Sequence, residues 1–302
     1  MPEWWVAALV VRVCPVPEPG CDTTSLAEAV ATGLDVEVAP GVYPVGELRL
    51  ATPGQTLRSL DPADRAVLTP IVPDGPLVHV EADAVRIEDL VFTGPGPVPA
   101  PPHRAIQIVA GRAVVLDGLT VQDFAGSDQG ALVAAYGPQT EVTMTSSVLR
   151  DGDAGSEGGA LYVQGASVEL FDVQVARCEA GLFGGQVSVV DGGSLVVRDS
   201  RFTNGTALSA TTLRAFQASR VELHRVAIGD GDRGGLGVAE LEGVDAVLLD
   251  EVRATSTAIP GASFRVVDGG ALVVRDSVFA AEDVAVTGLS IEDLGDVEIE
   301  TT

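Results

Sequence analysis

Apolar and polar residues alternate along this chain in short bursts, broken by glycine and acidic turns. The stretch VVDGGSLVVRDSRF at residues 189 to 202 returns as VVDGGALVVRDSVF at residues 266 to 279. Twelve of the fourteen positions match, 77 residues apart. Weaker copies fill the gap and precede it. Aligning them on one apolar anchor gives Val85, Val114, Val142, Val168, Leu195, Val221, Val247 and Leu272, with steps of 25 to 29 residues. Counting the anchor as zero, columns +0 and +2 are aliphatic, or Met144, in every copy, column +5 is Leu, Val or Ser, and column +7 is apolar. Columns +3 and +4 are mostly polar. This is alternation, a bend, then alternation again, the pattern of two short strands that meet at a corner with their apolar sides inward.

A second apolar series precedes each anchor: Ile106, Leu132, Leu161, Val187, Leu213, Val238 and Phe264. Each repeat therefore carries at least one further strand. A helical period of 3.6 is absent, and a propeller blade needs roughly 40 residues. One coil of a parallel β-helix fits about 26. The repeat of 77 is three coils, and the inward positions recur because a stacked core has a constant cross-section. The expected fold is all-β, a right-handed parallel β-helix of about ten coils, roughly 50 Å long at about 4.8 Å per coil.

The front of the chain differs. Ser25 to Glu28 is a capping-box pattern ahead of an apolar run, which predicts a short helix over residues 25 to 32. Residues 1–34 are expected to form an N-terminal strand and capping helix, and residues 35–302 the β-helix. The last segment restarts the repeat at Val297 and stops partway, so the final coil is expected to be incomplete. PGPVPAPPHR at residues 95 to 104 reads as a rigid loop that leaves the stack.

Charge narrows the function classes. The chain has 302 residues, 43 Asp and Glu against 18 basic residues, and a net charge of −25. Every basic residue is Arg. No basic stripe is present for nucleic acid, and lysine chemistry is absent. The eight-residue apolar run near the start is too short to span a membrane. It lacks a basic leader and a cleavage pattern, so a secretion signal would have to lie upstream. Cys14 and Cys21 flank a Pro-rich loop and are expected to be bridged if the protein is exported, while Cys178 is expected to be half-buried.

The run TSLAEAVATGLDVEVAPGVYPVGELRL resembles the opening of right-handed parallel β-helix proteins of the pectate-lyase-like superfamily. GGALYV, GGSLVVRDSRFTN and GGALVVRDSVF resemble the repeats of bacterial polymorphic outer-membrane proteins. Only Phe202-Thr203-Asn204 completes the F-x-x-N pattern of the latter. The resemblance implies the fold. It leaves function open, because this fold hosts lyases, hydrolases, epimerases, adhesins and stalks.

Candidate chemistry lies in column +9, which reads Gly94, Asp123, Asp151, Arg177, Asn204, Asp230, Ser256 and Ala281. Asp151, Asp153 and Glu157 offer three carboxylates within seven residues, a candidate Ca²⁺ loop. Asp230 and Asp232 form a second acidic turn. Asp is also a plain turn-former. Asp123, Asp151 and Arg177 stack in successive coils and form the best lyase-like set, with the arginine as base. The aromatics offer no support: Tyr136 and Tyr162 read as isolated. The expected function is a non-catalytic, exported or cell-surface scaffold or adhesin, with a polysaccharide or a surface protein as partner. The alternative is a Ca²⁺-dependent lyase, or another carbohydrate-active enzyme, on acidic polysaccharide.

Overall fold

The computed structural model describes residues 10–71, 75–96, 103–229, 237–256, 262–281 and 287–300. The turn containing Asp230 and Asp232, the start of the chain before Val10 and the middle of the Pro-rich loop lie outside these residues. The fold is a parallel β-solenoid of about ten coils with one short helix.

Each coil contributes one strand to each of three sheets, here called A, B and C. Sheet A has twelve strands and sheet B ten, all stacked in parallel. The anchors lie in register in sheet A: Val114, Val142, Val168, Leu195, Val221, Val247 and Leu272 pair rung to rung. All are buried in one continuous core. In sheet C the register runs Ile106, Val133, Leu161, Val187, Leu213, Ala239 and Phe264. The alternation had pointed to Leu132 and Val238 at two of these places. Both are buried too, so a run of apolar neighbours hides the parity of the strand.

The repeated RDS triplet has a local cause. Asp199 and Asp276 sit at φ of 52° and 43°, in the left-handed region that turns the chain from sheet A to sheet B. Asp reaches that region more readily than most residues. The serine that follows points inward. The Ser200 hydroxyl donates to the Arg198 carbonyl at 2.7 Å and accepts from Val173 N–H of the preceding coil at 3.0 Å. Ser277 repeats both contacts with Arg275 and Val252. Serine in an otherwise aliphatic column therefore satisfies backbone groups that the corner leaves without ladder partners.

The helix Leu26–Ala31 packs Leu26, Ala29 and Val30 into the core. Ser25 caps it by accepting from Glu28 N–H. Strand Val10–Val13 pairs with Asp35–Val38 as the first rung of sheet A. Cys14 and Cys21 are bridged. Cys178 is fully buried instead of half-buried, and burial pushes its thiol up to about 12.

Three further strands break the simple plan. Ala125–Gln129, Asp153–Glu157 and Glu179–Ala180 pair with one another in parallel and join sheet C at His103–Ile108. They arise where the B-to-C connection is longest. Their inner side packs on a small alanine cluster, Ala131, Ala154 and Ala180. Gly159 lets the backbones close up, since a Cβ there would lie 2.3 Å from the Glu179 carbonyl and 2.5 Å from that of Gly185.

Candidate functional site

The outward side of sheet C carries one residue per coil in a straight column. In register it reads Arg49, His79, Gln107, Ala134, Tyr162, Ser188, Arg214, Glu240, Arg265 and Ser290. Successive members are about 4.8 Å apart. The middle of the column is buried, and Arg214 is the first half-exposed residue beyond it.

Three side chains hold Arg214. Its guanidinium lies 3.9 Å from the Phe183 ring centroid and 5.0 Å from that of Phe216. Its Nη1 donates to Glu157 Oε1 at 3.2 Å. Glu240 is the next rung, and its carboxylate accepts from Ser209 at 3.1 Å and from Arg265 at 2.9 Å. Glu157 also accepts from the buried Ser188 hydroxyl at 2.8 Å. The side chains of Arg214 and Glu157 are each only 15% exposed, so water screens their attraction weakly. A planar cation fixed against aromatic faces keeps donors available for a second carboxylate.

Below Arg214, Tyr162 and Tyr136 stand with ring centroids 5.8 Å apart. The sequence reading had left them isolated, because their neighbourhood is created by coil register. Burial first, then the Glu157 charge, pushes the Tyr162 phenol well above the ordinary tyrosine range. It stays protonated and cannot serve as a base at neutral pH. Arg104 lies over Tyr136 at 5.6 Å and donates to the Gly130 carbonyl and to Gln107. Burial pulls its pKa down.

The residues singled out by column +9 fall elsewhere. Asp123, Asp151 and Arg177 occupy left-handed bends after sheet B, at φ of 63°, 56° and 51°. Arg177 grips Asp151 through two hydrogen bonds of 2.7 and 2.8 Å. That contact holds the guanidinium above its ordinary value, which is opposite to what a base needs. Asp153 is exposed on its strand, whereas Glu157 turns to Ser188 and Arg214. Asp151, Asp153 and Glu157 do not gather within ligand distance of one another. Among the described residues one group of three metal-ligating types does gather, Cys14, Glu18 and Cys21, and its two sulfurs are joined to each other.

No family model matches the sequence, and no curated protein matches it in sequence. Solved structures do share its fold. An alginate lyase from Paenibacillus sp. str. FPU-7 is 16% identical, with a TM-score of 0.53 over 96% of this chain and 98% of its own. The A-module of the Azotobacter vinelandii mannuronan C-5 epimerase is 14% identical, with a TM-score of 0.54 over 91% and 89%. The enzymatically active domain of bacteriophage CBA120 tailspike protein 2 is 10% identical, with a TM-score of 0.54 over 97% of this chain and 43% of its own. These findings correct the expectation of a non-catalytic scaffold or adhesin: the structures it resembles include an alginate lyase, a mannuronan C-5 epimerase module and an enzymatically active tailspike domain. No helix among the described residues is long and apolar enough to cross a membrane. The chain thus has the parallel β-helix fold of the pectate-lyase-like proteins.

Proposed function

We propose that the protein is a carbohydrate-active enzyme that acts on an acidic polysaccharide at the outward side of sheet C. One observation carries this reading. Arg214 packs against two aromatic rings, between the rungs of Ser188 and Glu240, with Glu157 bound to it. A sugar carboxylate paired with Arg214 would have its charge neutralised, which acidifies the adjacent C–H. Glu157 and Glu240 are the carboxylates placed to accept that proton. Loss of the proton forms a C=C bond as the C–O bond to the glycosidic oxygen breaks, and that oxygen leaves as an alcohol by taking a proton from water or from the carboxylic acid just formed. Glu157 takes one donor of the guanidinium, and the donors that remain are the ones a sugar carboxylate would use. The Cys14–Cys21 bridge supports work in an oxidising, extracytoplasmic setting.

The test is a panel of polyuronates, with Ca²⁺ and with chelator, followed by ultraviolet absorbance for unsaturated ends and by reducing-end release for hydrolysis. Product formation lost in Arg214→Ala and kept in Asp151→Ala is the expected result. A flat trace in both assays, or full activity in Arg214→Ala, overturns the reading.

A further inference from the structure

We infer a second carbohydrate-binding surface on the outward side of sheet B, where Arg201 and Arg253 hold the carboxylates of an anionic oligosaccharide. A groove of about 560 Å³ crosses this sheet, lined by Gln174, Arg201, Thr203, Asn204 and Thr255 among others. Among the described residues none that lines it is acidic, in a chain with 43 carboxylate side chains. Amides, hydroxyls and one guanidinium are the donors a sugar acid needs, with little apolar surface to hold anything else.

The arginines of this chain are otherwise committed. Among the described residues, Arg112, Arg201 and Arg253 are the ones whose side chains have no hydrogen-bond or ion-pair partner. Two of these three are in one column of sheet B, since Arg201 pairs with Ala227 and Ala227 with Arg253. Their Cα atoms are therefore about 9.6 Å apart along the stack. Both are exposed. The Arg253 end also carries Glu251 and Asp276, so Arg201 is the stronger anchor. Nearby, Asp151 is already neutralised by Arg177. The floor is rigid, because the buried Gln186 amide donates to the Thr203 carbonyl at 2.7 Å. An acidic glycan is repelled by most of this surface, so the groove at Arg201 is favoured over its surroundings, with Arg253 lying beyond it in the neighbouring depression.

This surface does not depend on the sheet C reading, and its test is built to keep the two apart. Binding of short oligouronates is measured by calorimetry in an Arg214→Ala background, where the sheet C cation is gone. Neutral oligosaccharides of the same length serve as a control. The expected result is binding that weakens about tenfold when Arg201→Ala and Arg253→Ala are added together. Arg112→Ala, which removes one positive charge elsewhere, leaves it unchanged. No binding in the Arg214→Ala background overturns the inference. So does an unchanged affinity in the double variant, an equal loss in Arg112→Ala, or equal binding of neutral sugars.

Discussion

Glu157 and Arg214 are 57 positions apart in the chain, yet their side chains meet at 3.2 Å on the outward side of sheet C. The contact joins an inserted strand to the main stack. Two terms act together there. The pair attracts in a poorly solvated spot, and the Phe183 face adds a cation–π contribution at 3.9 Å. Arg214→Ala leaves Glu157 half-buried with no cation and is expected to cost about 2 kcal/mol, below the range for a fully buried pair. Urea unfolding with an unchanged slope checks this. Arg214→Lys is expected to recover only part of the loss, because an ammonium lacks the planar face that packs against Phe183 and Phe216.

Two of the three tyrosines titrate late. Burial pushes Tyr43 up to about 12 and raises Tyr162 further. The Tyr43 hydroxyl donates to the Ala39 carbonyl at 2.8 Å, which the phenolate could not do. A folded-state pKa above the unfolded value of about 10 means that the folded protein holds the proton longer. The stabilisation is complete below about pH 10 and is lost as pH rises through the folded values. Absorbance titration of tyrosinate is expected to show Tyr43 and Tyr162 unionised at pH 10.5, and the melting temperature to fall from about pH 10 toward pH 12. Tyr162→Phe should flatten part of that fall.

The inserted strands depend on bare backbone. Gly159→Ala would push a Cβ against the carbonyls of Glu179 and Gly185, neither of which is a flexible side-chain end. The expected cost is about 2 kcal/mol, typical of overpacking at a closed site. Thermal unfolding measures it. Activity should fall with it, because Glu157 ends the inserted strand only two residues before Gly159.

At the other end, Glu37 bridges Arg12 at 3.3 Å and Arg58 at 2.6 Å across three rungs of sheet A. The Arg58 hydrogen bond leads in lowering its pKa, against a partial desolvation penalty. A depressed carboxylate stabilises the fold above its unfolded pKa of about 4.5 and loses that share as pH falls through the folded value. Glu37→Gln is expected to lower stability by about 0.5–1 kcal/mol at pH 7 and by nothing near pH 2. Denaturant midpoints at the two pH values test the sign.

Much of the architecture was legible because a solenoid writes itself in columns. Val142, Val168 and Leu195 recur because each faces the same slice of core, and Asp199 and Asp276 recur because each corner needs a left-handed residue. At column +9 the structure puts Asp123 and Asp151 at bends and pairs Arg177 with Asp151. Leu132 and Val238 were misplaced by one residue where apolar neighbours hide strand parity.

The sequence by itself determined the repeat, the stacking direction of its inward columns, the capping helix and the negative surface. Those follow from periodicity and composition, which act within one coil or between identical positions of adjacent coils. Only the tertiary structure decided which side of the stack holds concentrated chemistry. Tyr162, Ser188, Arg214 and Glu240 are spaced 26 residues apart and share no motif. They form a column because the rungs align them, and Glu157 and Phe183 reach them only because a longer connection folds back beside sheet C. Such contacts join unlike residues across several coils, and no local pattern encodes them.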